Sequence, residues 1–196
     1  MTEDNLSCSD VKDAIEPILK QAQLSYDVNY AHVENFTQTA FNDNHQAHHN
    51  RWRSKHLKWL DPNGESLQLD DYGKNLPEKA IQHLRLPGPP NREELTRELT
   101  NLYQRFEILA RAFQVIKEHE NETIAEYLKQ QNEYVIRVLK ETSDGMRKLH
   151  IKQPIVDVQI PEYKGVRELR DWIVTREHLK LLSYVQAYEL LLQRCV

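Results

Sequence analysis

The most regular hydrophobic pattern in the chain lies between Arg92 and Lys117. Asn91 precedes it and is suited to cap a first turn with its side-chain oxygen, while Glu93 and Glu94 follow at the positive end of the helix dipole. A seam this narrow over about 26 residues, roughly 39 Å, needs partner helices of similar length. Its apolar residues are separated alternately by four and three positions, as in a helix that packs along one side: Leu95, Leu99, Leu102, Phe106, Leu109, Phe113 and Ile116.

Three other stretches carry a helical period, and together the four predict an all-α protein. We expect helices over residues 10–36, 92–117, 123–142 and 163–194. Pro17 disturbs the first helix because proline removes the hydrogen bond to the Asp13 carbonyl. That helix therefore either kinks at Pro17 or becomes regular near Ala14, and we expect one long helix with a disturbed first turn. Gly145 is placed to cap the third helix.

The connections between these helices differ in length. The polar segment EHENET predicts a tight turn between the second and third helices, whereas residues 37–90 and 143–162 are long crossover loops. The first loop contains the polar run FNDNHQAHHN and the basic-aromatic run RWRSKHLKW, with short helices expected near 51–60 and 77–85. The second contains IVDVQI, which predicts either a short strand or an extended loop.

Loop length also predicts the direction of each helix. A tight turn joins antiparallel neighbours, whereas a parallel neighbour needs a connection of at least about 12 residues to span roughly 39 Å. We therefore expect a single domain over residues 1–196, a four-helix bundle with an up-up-down-down path and two long crossover loops. In that arrangement the first and last helices are antiparallel, and their outer ends share one pole.

Composition narrows the function classes. The chain has 196 residues, a formal charge of −4 and only 5 glycines, which suits one domain with a sizeable core and gives no general case for nucleic acid. No apolar run approaches the roughly 18 residues of a membrane span. The sequence shows no nucleophile–base pair, carboxylate dyad or metal triad with useful spacing, so we expect no catalysis, no metal and no cofactor.

Localisation is less sharply defined. The acidic N-terminus MTEDNLSCSD is not a secretory signal, which leaves a cytosolic protein, a mature secreted chain with an added Met, or export without a signal. Glycosylation sequons at Asn5, Asn35 and Asn121 favour export. Cys8 and Cys195 lie at opposite ends of the chain and form either a disulfide, worth ~2–4 kcal/mol, or two unrelated thiols.

Three local features carry candidate chemistry. His45, His48 and His49 lack metal-ligand spacing, so we expect a solvated loop there. The run over residues 51–59 interleaves cations with aromatic rings. It predicts either a surface for nucleic acid or sulfated glycan, or a helical face that packs Trp52, His56 and Trp59 onto the bundle. Trp172 is expected in the core.

The last helix adds a resemblance. KGVRELRDWIV, residues 164–174, is similar to the final helix of the interleukin-6-type long-chain helical cytokines, in the branch of ciliary neurotrophic factor, cardiotrophin-like cytokine and interleukin-11. LTRELTNLYQRFEILARAF resembles the second helix of that family, and SDVKDAIEPILKQAQLSYDVNYAHVENF its first helix and exit. The Phe-x-x-Lys signature of the branch that uses the leukaemia inhibitory factor receptor is missing, because VDVQIPEYKG places Tyr163 and Lys164 side by side.

The resemblance implies a secreted, monomeric cytokine that crosslinks class I cytokine receptors, including the signal transducer shared by the interleukin-6 family, and activates JAK-STAT signalling. Family members have up to three receptor-contact surfaces. The residues suited to them, taken as exposed from helical phase, are Arg176 and Lys180 for the first surface, Lys20, Asp27, Lys129 and Glu133 for the second, and Tyr163, Lys164 and Arg167 for the third.

Two other function classes fit the same sequence. An intracellular α-helical adaptor would have the same composition and the same lack of a signal peptide. A helical bundle that binds nucleic acid or sulfated glycan would use residues 51–59.

Overall fold

The computed structural model describes residues 6–60 and 76–196, and in these residues the protein is all-α without a strand. Residues 155–160 are therefore an extended loop, and two short 3₁₀ turns lie at Lys58–Leu60 and Gln82–Arg85. The α-helices are α1 (Cys8–Phe41), α2 (His45–Trp52), α3 (Glu78–Ile81), α4 (Arg92–Ile116), α5 (Glu122–Lys148), α6 (Arg167–Gln186) and α7 (Glu189–Gln193).

Helix α1 is longer than expected from the sequence and continues through Pro17. It begins with a capping box, in which the Ser7 hydroxyl accepts from the Asp10 amide at 3.1 Å and the Asp10 carboxylate accepts from the Ser7 amide at 3.0 Å. Pro17 leaves the Asp13 carbonyl without a donor inside the helix. The Lys148 ammonium of α5 donates to that oxygen at 2.8 Å, so the proline is accommodated by a neighbouring helix.

Helix α4 matches its sequence pattern closely. The Asn91 side chain caps it by accepting from the Glu94 amide at 2.9 Å, as predicted. All seven apolar residues of the predicted seam are buried, which confirms that one side of α4 forms part of the core.

Helix α5 continues past Gly145, so the expected cap at that residue is wrong. Gly145 is buried where α5 approaches α1, and a Cβ added to it would lie 2.8 Å from the Ala14 carbonyl oxygen. Glycine is therefore needed for close helix contact rather than for ending the helix. The chain turns instead at His150, with φ 54°, where the Ile151 amide donates to the Met146 carbonyl at 2.8 Å.

The four long helices contact one another in a consistent pattern. Helix α1 packs against α5 and α6, and α4 packs against the same two helices. Helix α1 runs antiparallel to α5, since Asp13 meets Lys148 near one end and His32 stacks on Tyr127 near the other, with ring centroids 5.2 Å apart. It also runs antiparallel to α6, because the Trp172 indole near the start of α6 donates to the Thr37 hydroxyl at 3.1 Å.

Helix α4 also runs antiparallel to α5 and α6. The Arg92 guanidinium at its start donates to the Leu149 carbonyl, just past the end of α5, at 2.8 Å. Glu94 forms an ion pair with Arg194, which follows α7. Helices α1 and α4 therefore run in the same direction, opposite to α5 and α6.

The last helical region differs from the expected continuous helix over 163–194. Helix α6 starts only at Arg167, and the chain turns at Ala187 and Tyr188 before α7. From Asp171 to Val185 almost every residue of α6 is buried, whichever side of the helix it occupies. This burial arises because parts of the first connection, the chain between α1 and α4, lie against the side of α6 that α1 and α4 leave uncovered.

Candidate functional site

The third predicted surface is a pole formed by the start of α6 and the turn between α4 and α5. Arg167 lies 4.0 Å from the Glu120 carboxylate of that turn, which brings the two segments together. Lys164 is exposed, and the partly buried Tyr163 ring covers Gly165, whose added Cβ would lie 2.7 Å from it. Tyr163, Lys164 and Arg167 thus present an aromatic ring and two cations within five residues of chain.

A buried carboxylate lies just behind this pole. Asp171 is fully buried, and the Arg170 guanidinium donates to it at 2.6 Å. Burial raises the pKa of Asp171, while the positive charge of Arg170 and smaller contributions from His119 and Arg167 oppose that rise. Arg167 therefore has two carboxylates nearby, the buried Asp171 and the exposed Glu120.

The second predicted surface lies on α1 and α5. Lys20, Asp27, Lys129 and Glu133 are all exposed, as helical phase predicted. The same stretch of α1 leaves Leu24 61% exposed, a large apolar side chain open to solvent between two of these charges. One exposed apolar side chain among charges is ordinary for a protein surface, so the structure shows only that these four residues are accessible.

The prediction that Arg176 and Lys180 are exposed on a first receptor surface is wrong. Arg176 is 0% exposed and Lys180 only 2%, because the first connection covers this side of α6. The Arg176 guanidinium donates to the carbonyls of Trp52 at 3.0 Å and Lys55 at 2.6 Å, and lies over the Trp172 ring. Arg176 thus attaches the connection to α6 and is not available to a receptor.

The partly buried Glu177 completes this charge cluster. Its carboxylate accepts from Arg176 at 2.7 Å and lies 3.4 Å from the Lys180 ammonium. Burial alone would raise the pKa of Glu177, but the charges of Lys180 and Arg176 outweigh it and hold that pKa below its ordinary value. The Glu177 carboxylate therefore stays ionised, and the charges of Arg176 and Lys180 balance it.

The histidines of the first connection are also placed differently from the prediction. His45, His48 and His49 are buried in α2 rather than solvated in a loop. Asn44 starts this helix by accepting from the amides of Gln46 and Ala47. His48 stacks on Phe41 at 4.1 Å and meets the edge of Trp172 at 4.6 Å, and burial lowers its pKa.

A second attachment of the connection was not predicted. His83 Nε2 lies 2.9 Å from the Tyr184 hydroxyl and 3.3 Å from the Glu98 carboxylate, and Tyr184 donates to Glu98 at 2.8 Å. No spacing in the sequence links His83 to Tyr184, which lies 101 positions away. Glu98 lies beside the apolar seam of α4, and a carboxylate at the edge of a buried seam indicates that it needs a polar partner in the folded protein.

The two cysteines meet at the pole opposite Tyr163. Both are free, partly buried thiols, and Cys195 lies close enough to Cys8 for Cys8 to raise its pKa. Burial and this contact raise the pKa of Cys195 to about 11. The structure therefore brings the thiols together, while a disulfide between them stays a prediction.

The three sequons fall in different environments. Asn35 is exposed on α1, and the exposed Asn121 caps α5 by accepting from the amides of Thr123 and Ile124. Asn5 lies outside the described residues. Glycosylation at these residues stays a prediction.

Comparison with protein-family models, with characterised proteins and with solved structures finds no match to this chain. Within residues 6–60 and 76–196, no helix is long and apolar enough to span a membrane. The same residues bring no three His, Cys, Asp or Glu side chains together around a position where a metal ion would be held.

Proposed function

We propose that the protein is a secreted helical cytokine that crosslinks class I cytokine receptors, among them the signal transducer shared by the interleukin-6 family, and activates JAK-STAT signalling. The four long helices would form an up-up-down-down bundle with two crossover loops. The observation that supports this most directly is the common direction of α1 and α4, both antiparallel to α5 and α6. Two long helices that follow one another in the bundle and run in the same direction, as α1 and α4 do, require a connection that crosses the length of the bundle.

The receptor-contact surfaces of this proposal are the second and third surfaces. Surface residues of protein interfaces contribute most when an aromatic ring or an arginine anchors the contact, and the pole offers Tyr163 and Arg167. Charges at the rim, such as Lys20 and Lys129, would set the rate of association more than its strength. Arg176 and Lys180 have no part in it, because both are buried.

A binding screen tests the proposal. Immobilised class I receptor ectodomains are tested against the full chain, with STAT phosphorylation in responsive cells as the second readout. The variant Tyr163→Ala/Lys164→Ala should weaken binding and signalling, with a change in the free energy of unfolding below ~0.5 kcal/mol, because neither residue is fully buried.

The matched control is Lys152→Ala, an exposed lysine of the second connection outside both surfaces. Its binding and signalling should equal those of the unaltered protein. No binding to any ectodomain would reject the cytokine proposal. Unchanged signalling of the double variant would reject only the pole as a contact.

A further inference from the structure

Residues 51–58, called the basic segment below, carry an unusual concentration of exposed positive charge. Their sequence, RWRSKHLK, contains four Lys or Arg residues and one His but no carboxylate. Arg53, Lys55 and Lys58 are exposed, and no ion pair joins their side chains to another residue that the structure describes. Arg51 is also exposed but lies 3.1 Å from the Asp43 carboxylate.

The backbone of the basic segment is attached to α6 by hydrogen bonds. Buried Arg176 donates to the carbonyls of Trp52 and Lys55, and Leu57 lies in the core. The partly buried carboxylate of Glu177 already accepts from Arg176 and pairs with Lys180. Because the backbone is already ordered, binding has to order only the side chains of the segment, which lowers the entropy cost of association.

The aromatic residues indicate which kind of polyanion fits. Trp52 and Trp59 are partly buried and pack against the core, so neither ring forms an open platform for stacking nucleic-acid bases. The protein as a whole carries a formal charge of −4, so the positive field is local to this segment. A short, flexible polyanion that contacts only the basic segment avoids the negative remainder of the surface, whereas a long nucleic acid does not.

We propose that the basic segment is a binding surface for a sulfated glycan, with Arg53, Lys55 and Lys58 contacting successive sulfate or carboxylate groups. The site shares no residue with Tyr163, Lys164 and Arg167, and it does not depend on the receptor proposal. Point cations on a fixed backbone suit sulfate groups, which need charge and hydrogen-bond donors but no base-edge recognition.

Titration of the full chain with a heparin-derived octasaccharide at several NaCl concentrations tests this site. The variant Arg53→Gln/Lys55→Gln/Lys58→Gln should bind about tenfold more weakly near 0.1 M NaCl, and the slope of log Kd against log salt should fall by roughly two to three. The control Lys117→Gln/Lys140→Gln/Lys152→Gln removes the same charge from three exposed lysines elsewhere and should change Kd by less than about twofold.

Circular dichroism should show both variants to be folded, because the altered side chains are exposed. Equal losses in the two triple variants would mean that only net charge is sensed and would overturn the proposal. An eight-nucleotide single-stranded DNA that binds as tightly as the octasaccharide would show that the segment does not distinguish a sulfated glycan from nucleic acid, and would also overturn the proposal. No octasaccharide binding by the unaltered chain would also overturn it.

Discussion

The Lys148 ammonium lies 2.8 Å from the carbonyl oxygen of Asp13, the group that Pro17 leaves without a donor inside α1. A proline in the interior of a helix costs about 3 kcal/mol, partly because of this missing hydrogen bond. Helix α5 supplies a replacement donor at the place where Gly145 lets the two helices approach closely. The proline and the contact between α1 and α5 are thus coupled.

A double-mutant cycle measures this coupling. Lys148→Met should lower the free energy of unfolding by about 1 kcal/mol, the usual value of one hydrogen bond. In a Pro17→Ala background the loss should be smaller, because the restored amide at position 17 donates to Asp13. Urea unfolding of the four proteins gives the values. The same loss in both backgrounds would show that Lys148 does not compensate for Pro17.

Gly145→Ala should destabilise the protein. Alanine favours a helix over glycine by about 1 kcal/mol, but its Cβ would lie 2.8 Å from the Ala14 carbonyl oxygen, so α1 and α5 must move apart. We expect a net loss of about 1–3 kcal/mol in thermal or urea unfolding. Lys140→Ala, at an exposed position of α5, is the control and should change stability by less than about 0.5 kcal/mol. A more stable Gly145→Ala protein would contradict the close contact.

Stability should fall on acidification because of His178. Burial lowers its pKa from 6.5 to about 3, so the folded protein holds the imidazole neutral. Above pH 6.5 the imidazole is neutral in both the folded and the unfolded protein. As the pH falls from 6.5 towards 3, only the unfolded chain binds a proton at His178, so the free energy of unfolding decreases. Between pH 6.5 and pH 5 this amounts to roughly 2 kcal/mol.

Unfolding of the unaltered protein and of His178→Gln across this pH range checks the expectation. The variant should show a shallower decline. It should not become flat, since burial also lowers the pKa of His32 and of His48. Parallel curves for the two proteins would exclude His178 as a source of acid sensitivity.

Cys8 and Cys195 should form a disulfide when the protein is exposed to oxidised glutathione. Cys8 already lies close enough to Cys195 to raise its pKa, so the two residues do not have to be brought together from distant parts of the fold. Oxidation should stabilise the fold by ~2–4 kcal/mol, because the bond would close a loop of almost the whole chain. Intact mass before and after reduction, with alkylation, detects it, and Cys8→Ser serves as the control. Two alkylatable thiols after oxidation would refute this pairing.

Sequence periodicity predicted the all-α class and the buried side of α4, because both depend on local spacing. It failed for Arg176 and His48, whose burial depends on distant segments. Arg176 is covered by residues more than a hundred positions earlier, and helical phase cannot show what covers a helix from outside. Gly145 was misjudged for the same reason, since a glycine that ends a helix and one that admits a neighbour look alike in sequence.

The meeting of Cys8 with Cys195 has a practical consequence for tethering. Cys8 and Cys195 both lie at the end of the molecule where α1 starts. Helix α1, with 34 residues, separates that end from the Tyr163 pole by roughly 50 Å. A carrier domain, a surface linkage or a fluorescent label can therefore be attached at either terminus, or at both, and leave the opposite pole open to a partner.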